Sequence, residues 1–298
     1  MISASVVKIM RVFCLLLTAA LLFSAFPAGS SASPEPEQTA APSKLEQQVN
    51  EWVSVLAKQK LFADWQGADP QIQALGPGTH GWLVLFSKDG RHIGYMVVHA
   101  VTDGSFRMGE YGVGSFPLFS QQQLKRSLIR NELIAANAPS TSYSAVRHYL
   151  HPLAAVWEVK IDGKSYWLDA KTAELLPLKQ SDWDAIEEAA EDRPAAPLLT
   201  GNRSRLRLNP TFDAYERLPW LTKEAPFANK DMEKIVLRLN KKQRVRYVTE
   251  PYGEAMLYAA PVVGYQRWSG GRLDLALHME GTRFIPIEAL ARCGFFYR

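Results

Sequence analysis

Cysteine is nearly missing from this chain: Cys14 and Cys293 are the only two in 298 residues. Cys14 falls inside an apolar leader, so Cys293 stands alone. One cysteine excludes an internal disulfide and a cysteine-built metal site. No apolar run reaches the roughly twenty residues that a membrane-spanning helix needs. The longest, Val12–Phe26, has fifteen. A phosphate-cradling glycine loop is also missing, because Gly109-x-x-Gly112-x-Gly114 follows a predicted strand but does not lead straight into a helix. His278-x-Glu280 lacks the second histidine of a zinc-peptidase helix. Nor is there an excess of one charge. Lys and Arg number 34 against 30 Asp and Glu, a formal net charge of +4. That is too little to argue for a nucleic-acid or membrane-surface partner. No long internal repeat is present.

Lys8 and Arg11 precede the apolar run, Pro27 ends it, and Ser30-Ser31-Ala32 supplies the small residues of a cleavage site. Residues 1–32 therefore read as a secretory signal. The reading places the protein outside the cell or at its wall, with membrane contact only through the signal. Cleavage would remove two basic residues and no acidic one. Residues 33–42 (SPEPEQTAAP) are a flexible tether, too poor in apolar side chains to pack.

The expected fold class is α+β: helices packed on antiparallel sheets, in two small domains. Ser43-Lys-Leu-Glu46 is a capping box, and Leu45, Val49, Trp52 and Leu56 follow at helical spacing, predicting a helix over 44–60. Trp82–Ser87 and Ile93–Val98 flank a Lys88-Asp-Gly-Arg91 turn and read as a hairpin. Asp103-Gly104 turns the chain into a third strand, 105–111. Ser120 begins a helix reaching about residue 136. His148–Leu176 alternates apolar and polar residues on two arms around Asp162-Gly163, another hairpin. Residues 43–178 form the first expected domain. An acidic, Pro-rich linker over 179–210 follows, with an acidic helix at 181–192. The second domain, 211–298, has a helix at 231–240, strands at 246–249, 255–260, 262–268 and 273–279, and a closing helix at 287–292 with Pro286 ahead of it. The apolar end, Phe295-Phe-Tyr-Arg298, is expected to dock.

Ala155-Val-Trp-Glu-Val-Lys160, Asp162-Gly-Lys164 and Tyr166-Trp-Leu-Asp169-Ala-Lys-Thr172 resemble the C-terminal part of PepSY-type domains. The family pattern ends in Asp-x-x-Thr-Gly; here Ala173 replaces the glycine. Residues 43–136 are similar to the cystatin-like propeptides of secreted cysteine peptidases. The resemblance implies a helix on an antiparallel sheet, and a role in inhibiting a peptidase or modulating proteins near the cell envelope. It implies no catalytic residue and no cofactor. Val262–Trp268 and Gly281–Pro286 resemble the later half of papain-like, bacteriocin-processing-type peptidases. There a Gly-Tyr strand carries the catalytic histidine; here Gln266 follows Gly264-Tyr265, and the early nucleophilic cysteine is missing.

Candidate chemistry is sparse. His148-x-x-His151, with Asp169 as a guessed third ligand, is the nearest approach to a metal set, but Pro152 and the strand pattern make both histidines structural or surface residues. Cys293 with His278 and Glu280 is the only thiol set to consider, and its place beside Gly294-Phe-Phe favours a small residue closing a core. Tyr95, His99, Glu110 and Tyr111 would suit a polar cleft, although no spacing requires one. The basic run Lys230–Arg246, including Lys234, Arg238, Lys241 and Lys242, is either an exposed helix face or a patch for an anionic wall polymer. The acidic helix is expected to dock on that patch.

The leading expectation is a secreted, non-catalytic binding or regulatory protein that modulates or inhibits an extracellular peptidase. Trp157, Tyr166 and Trp167, together with Lys234, Arg238, Lys241 and Lys242, are its candidate partner-binding residues, and no catalytic, cofactor or metal residue is expected. The alternatives are a papain-like cysteine hydrolase using Cys293 and His278, or an envelope component binding wall polymer.

Overall fold

A computed structural model describes residues 43–190, 199, 201–228, 231–254 and 256–298. The expected signal, the tether and the Pro-rich stretch at 193–197 lie outside the described residues.

Ser43 opens α1 (Lys44–Leu56) with the expected capping box. Its Oγ accepts the Glu46 N–H at 3.2 Å, and the Glu46 carboxylate accepts the Ser43 N–H at 2.6 Å. Such a cap contributes about 1 kcal/mol. The helix ends at Leu56, and a 3-10 turn over Lys60–Trp65 brings Phe62 and Trp65 into the core. Trp65 fits because Gly94 has no side chain, as a Cβ there would lie 2.6 Å from the indole ring.

Four strands follow: β1 (Asp69–Ala74), β2 (Gly81–Lys88), β3 (Arg91–Ala100) and β4 (Phe106–Val113). Between β2 and β3, Asp89 and Gly90 both have positive φ, at 51° and 72°. Such φ values at both central residues suit the tight turn of a two-residue hairpin. Next come α2 (Gln121–Arg130), capped by the Ser120 hydroxyl, and the strands β5 (Ser144–His151), β6 (Ala154–Ile161), β7 (Lys164–Asp169) and β8 (Leu175–Leu176). The hairpin expected at 148–176 is thus the middle of a four-stranded meander. The chain continues through α3 (Gln180–Ala190), β9 (Ser204–Leu208), α4 (Met232–Asn240), β10 (Arg246–Thr249) and β11 (Pro251–Glu254). It closes with β12 (Tyr258–Trp268), β13 (Leu273–His278), β14 (Thr282–Pro286), α5 (Ile287–Cys293) and β15 (Gly294–Tyr297). The apolar end docks by pairing β15 with β10.

The fold is α+β with antiparallel pairing throughout. Ten strands make one sheet in the order β1-β2-β3-β4-β14-β13-β12-β10-β15, with β9 on β12. Strands from both sides of the 179–210 linker therefore build one hydrogen-bonded layer. The seam runs through Tyr111↔Phe284, Gly112↔Arg283 and Val113↔Thr282. Pro42–Arg298 is one compact unit, and the two small domains expected from the sequence share this sheet.

One face of the large sheet buries Val84, Phe86, Met96, Val98 and Phe284 under α1 and Trp65. The other face carries two covers. Over β2 and β3 the small sheet and α2 supply Trp157, Val159, Leu168, Leu124 and Leu128. Over β12 and β13 the helices α4 and α5 supply Ile235, Leu239, Ile287 and Leu290. The outer face of the small sheet is closed by α3 and β11, with Trp183 stacked on Trp167 at a centroid distance of 5.5 Å and Tyr252 beside them.

Candidate functional site

The two covers leave a cleft of about 330 Å³ between them. Its lining comes from β3 and β4 (His99, Arg107, Gly109), from the end of β5 (Tyr149, His151, Pro152) and from α5 (Ala289, Arg292, Cys293), with His80 at the rim. His99 and Arg107 are cross-strand partners. His99 has room because two glycines flank its ring. A Cβ on Gly81 would come within 3.0 Å of Nδ1, and one on Gly109 within 3.0 Å of Nε2. Burial, helped by the neighbouring Arg107 charge, pushes the His99 pKa down to about 4. The imidazole is therefore neutral near pH 7 and leaves the cationic character to the arginines. The Arg107 Nε is buried with no hydrogen-bond partner. Among the described residues no carboxylate lines the cleft.

A buried ionic network holds the β5 wall. Arg283 donates to both oxygens of Glu110, through Nε at 3.0 Å and Nη2 at 2.8 Å to one and through Nη2 at 3.0 Å to the other. Glu110 also accepts the Tyr95 hydroxyl at 2.9 Å and the Tyr149 hydroxyl at 3.3 Å. Arg283 Nη2 reaches on to the Pro152 carbonyl at 2.6 Å, which fixes the turn just after His151. Burial, then Glu110, raises both tyrosine pKa values well above the ordinary value. Burial disfavours the Arg283 charge, but Glu110, Tyr95 and Asp169 together outweigh it and raise that pKa. A second buried set backs the β4 floor. Arg272 pairs with Asp274 at 2.7 Å and donates to the Met108 and Gly109 carbonyls.

The end of β5 and the end of α5 meet at His151 and Cys293. The Cys293 Sγ lies 3.6 Å from His151 Nδ1. The Leu153 backbone N–H donates to the same Nδ1 at 3.3 Å, which marks that nitrogen as the unprotonated one. A thiol proton pointed at Nδ1 shares that nitrogen's single lone pair with the Leu153 N–H, as a weak S–H donor. Thr249 Oγ1 donates to the Cys293 carbonyl and holds the thiol's backbone.

Several expectations change. His278 is exposed on β13, so the imidazole beside Cys293 is His151. Cys293 is half-buried and lines the cleft as well as packing against the α4–α5 core. His148 turns the other way, to Glu158 at 3.3 Å and against Trp167 and Trp183. Asp169 caps its own turn, accepting the Lys171 and Thr172 N–H groups at 2.8 and 2.7 Å. Neither joins His151, and among the described residues no three His, Cys, Asp or Glu side chains form a group that could hold a metal ion. His99 lines a cleft whose wall is more apolar than polar, whereas Tyr95, Glu110 and Tyr111 lie buried beneath the surface. Gln266, where the peptidase resemblance expects a histidine, is fully buried and outside the cleft lining.

The partner-binding residues fare unevenly. Trp157 and Trp167 are each 1% exposed, because the small sheet is covered on both faces, so neither can offer a recognition surface; Tyr166 is half-buried. Lys234 pairs with Asp231 at 2.9 Å, and half-buried Arg238 turns toward the Arg244 carbonyl. Lys241 and Lys242 are exposed at the end of α4, where positive charge complements the helix dipole. The acidic helix meets β11 and the small sheet through Trp183. Glu187 and Glu188 are exposed and form no ion pair among the described residues.

Sequence reasoning missed Arg107, His80, Tyr149 and the His151–Cys293 meeting. The first had only a partial signal: the Asp103-Gly104 turn marks the hairpin, but counting outward from those two residues sets Arg107 opposite Ala100, and the three-residue turn Thr102-Asp103-Gly104 shifts the register by one to His99. A scan against models of known protein families finds no match for the chain, and a comparison with curated proteins likewise finds none.

Proposed function

We propose that this is an exported, non-catalytic binding and regulatory protein whose cleft receives an anionic group of a partner. The partner class implied by the PepSY-type and cystatin-like resemblance is a secreted peptidase. The observation that carries the anionic part is the make-up of the cleft: among the described residues two arginines and three histidines line it, no carboxylate does, and Arg107 Nε is buried without a partner. A carboxylate seated against such a guanidinium gains charge-assisted, bidentate hydrogen bonds. The resemblance draws support from α1 lying on the β1–β4 meander and from Ala173, whose φ of 55° is one that glycine would adopt without strain. The test compares a short peptide bearing a free C-terminal carboxylate with its amidated twin, by calorimetry on the full chain. The free acid is expected to bind, and Arg107→Gln to weaken it at least ~10-fold, as for a lost charged hydrogen bond. Equal binding of acid and amide would sink the reading. Retention of soluble wall polymer in place of the peptide would move the partner to the wall.

One observation favours a second reading, a cysteine hydrolase: the 3.6 Å approach of Cys293 to a lone pair of His151. Turnover of a fluorogenic ester that disappears in Cys293→Ala would favour it over the binding reading.

A further inference from the structure

We infer that Cys293 is a modification site, exchanging with disulfides that carry a carboxylate, with His151 as the proton acceptor and Arg107 as the anion anchor. The inference rests on the anion-binding reading of the cleft and names its ligand class. Three independent features meet in this one cavity. The Cys293 thiol lies 3.6 Å from His151 Nδ1, and the Leu153 N–H marks that nitrogen as the unprotonated one. The cavity, about 330 Å³, reaches Cys293 from solvent and is roomy enough for a small peptide-like disulfide. Finally, the buried Arg107 Nε on the opposite strand pair lacks a hydrogen-bond acceptor that an incoming carboxylate would provide.

The step balances without a further oxidant. Cys293 Sγ passes its proton to His151 Nδ1, displacing the long Leu153 N–H contact from that nitrogen's single lone pair, and the thiolate attacks one sulfur of the ligand disulfide. A new S–S bond forms to Cys293 as the ligand's own S–S bond breaks. The departing thiolate takes the proton back from His151 and leaves as a free thiol. The protein sulfur is oxidised and the released half of the ligand reduced. Exchange of this kind runs through the thiolate and depends on access to it, which the imidazole and the cleft supply.

The experiment incubates the full chain at low ionic strength with oxidised glutathione, an anionic disulfide, or with cystamine, a cationic one. Intact-mass spectrometry follows the adduct, and the urea-unfolded chain provides each reagent's intrinsic rate. After that normalisation, oxidised glutathione is expected to react at least ~10-fold faster than cystamine, as charge steering into a cleft allows. Arg107→Gln is expected to bring the ratio toward one, Arg107→Lys to restore part of it, and His151→Asn to slow both reagents. No adduct on the folded chain, or a ratio indifferent to Arg107, overturns the inference. Calorimetry of carboxylate peptide binding to Cys293→Ser separates the two claims. Binding without any adduct on the native protein leaves the anion cleft standing and removes only the exchange; no binding removes the cleft reading itself.

Discussion

Arg283 grips Glu110 with both arms of its guanidinium across the seam between β4 and β14, and both side chains are almost fully buried. One comes from the first half of the chain and the other from the last sixteen residues. Replacing Arg283 by Met leaves the Glu110 charge in the core without its partner, a change that costs about 3–5 kcal/mol. Urea unfolding measures it. The double variant Glu110→Gln/Arg283→Met is expected to be more stable than Arg283→Met alone, since it no longer strands a charge.

His99 couples stability to acid. The unfolded side chain takes up a proton near pH 6.5, whereas the folded one resists until about pH 4. Between those values the unfolded state binds more protons, so stability falls as the pH drops and is lost progressively through that window. The loss amounts to at most about 3 kcal/mol. His99→Gln is expected to flatten this part of the curve, as read from urea midpoints at matched pH values.

Lys171 acts in the alkaline range. Its ammonium is buried against the Phe116 and Glu280 carbonyls, and burial, then repulsion from Arg283, lowers its pKa from 10.5 to about 8. Below pH 8 both states are protonated and the penalty of burying the charge is constant. From about pH 8 to 10.5 the folded protein has released the proton while the unfolded chain still holds it, so stability rises with pH. The difference between the wild-type and Lys171→Met pH curves isolates that slope.

Helix α3 is held by Trp183, which is 1% exposed and stacked on Trp167. Trp183→Ala is expected to cost on the order of 3 kcal/mol and to speed amide exchange across 180–190. Glu187→Gln with Glu188→Gln should leave that exchange unchanged.

Local chemistry was legible in the sequence wherever a turn or cap was self-contained. Ser43 and Glu46, Asp89-Gly90 and Asp162-Gly163 do in the structure what their own hydrogen bonds and positive φ values dictate. Edge strands were harder. β1 and β9 have weak apolar alternation and owe their pairing to β2 and β12, so nothing local announced them. The tryptophans misled for a similar reason. A two-faced hairpin looks like a surface until another element covers it, and β11 and α3 do so from far along the chain. The candidate site divides the same way. His99 and Arg107 are neighbours through one short hairpin, while His151 and Cys293 are 142 residues apart and meet only through the folded sheet.

The order of strands in the large sheet has a consequence for the chain during synthesis. β4 is complete before residue 114, yet its neighbour β14 begins at residue 282. Until β14 has been made, the growing chain carries a half-sheet with an open hydrogen-bonding edge, and Glu110 waits there without its counter-ion. Closure is a late, long-range event, the kind that slows folding and invites strand addition by other chains.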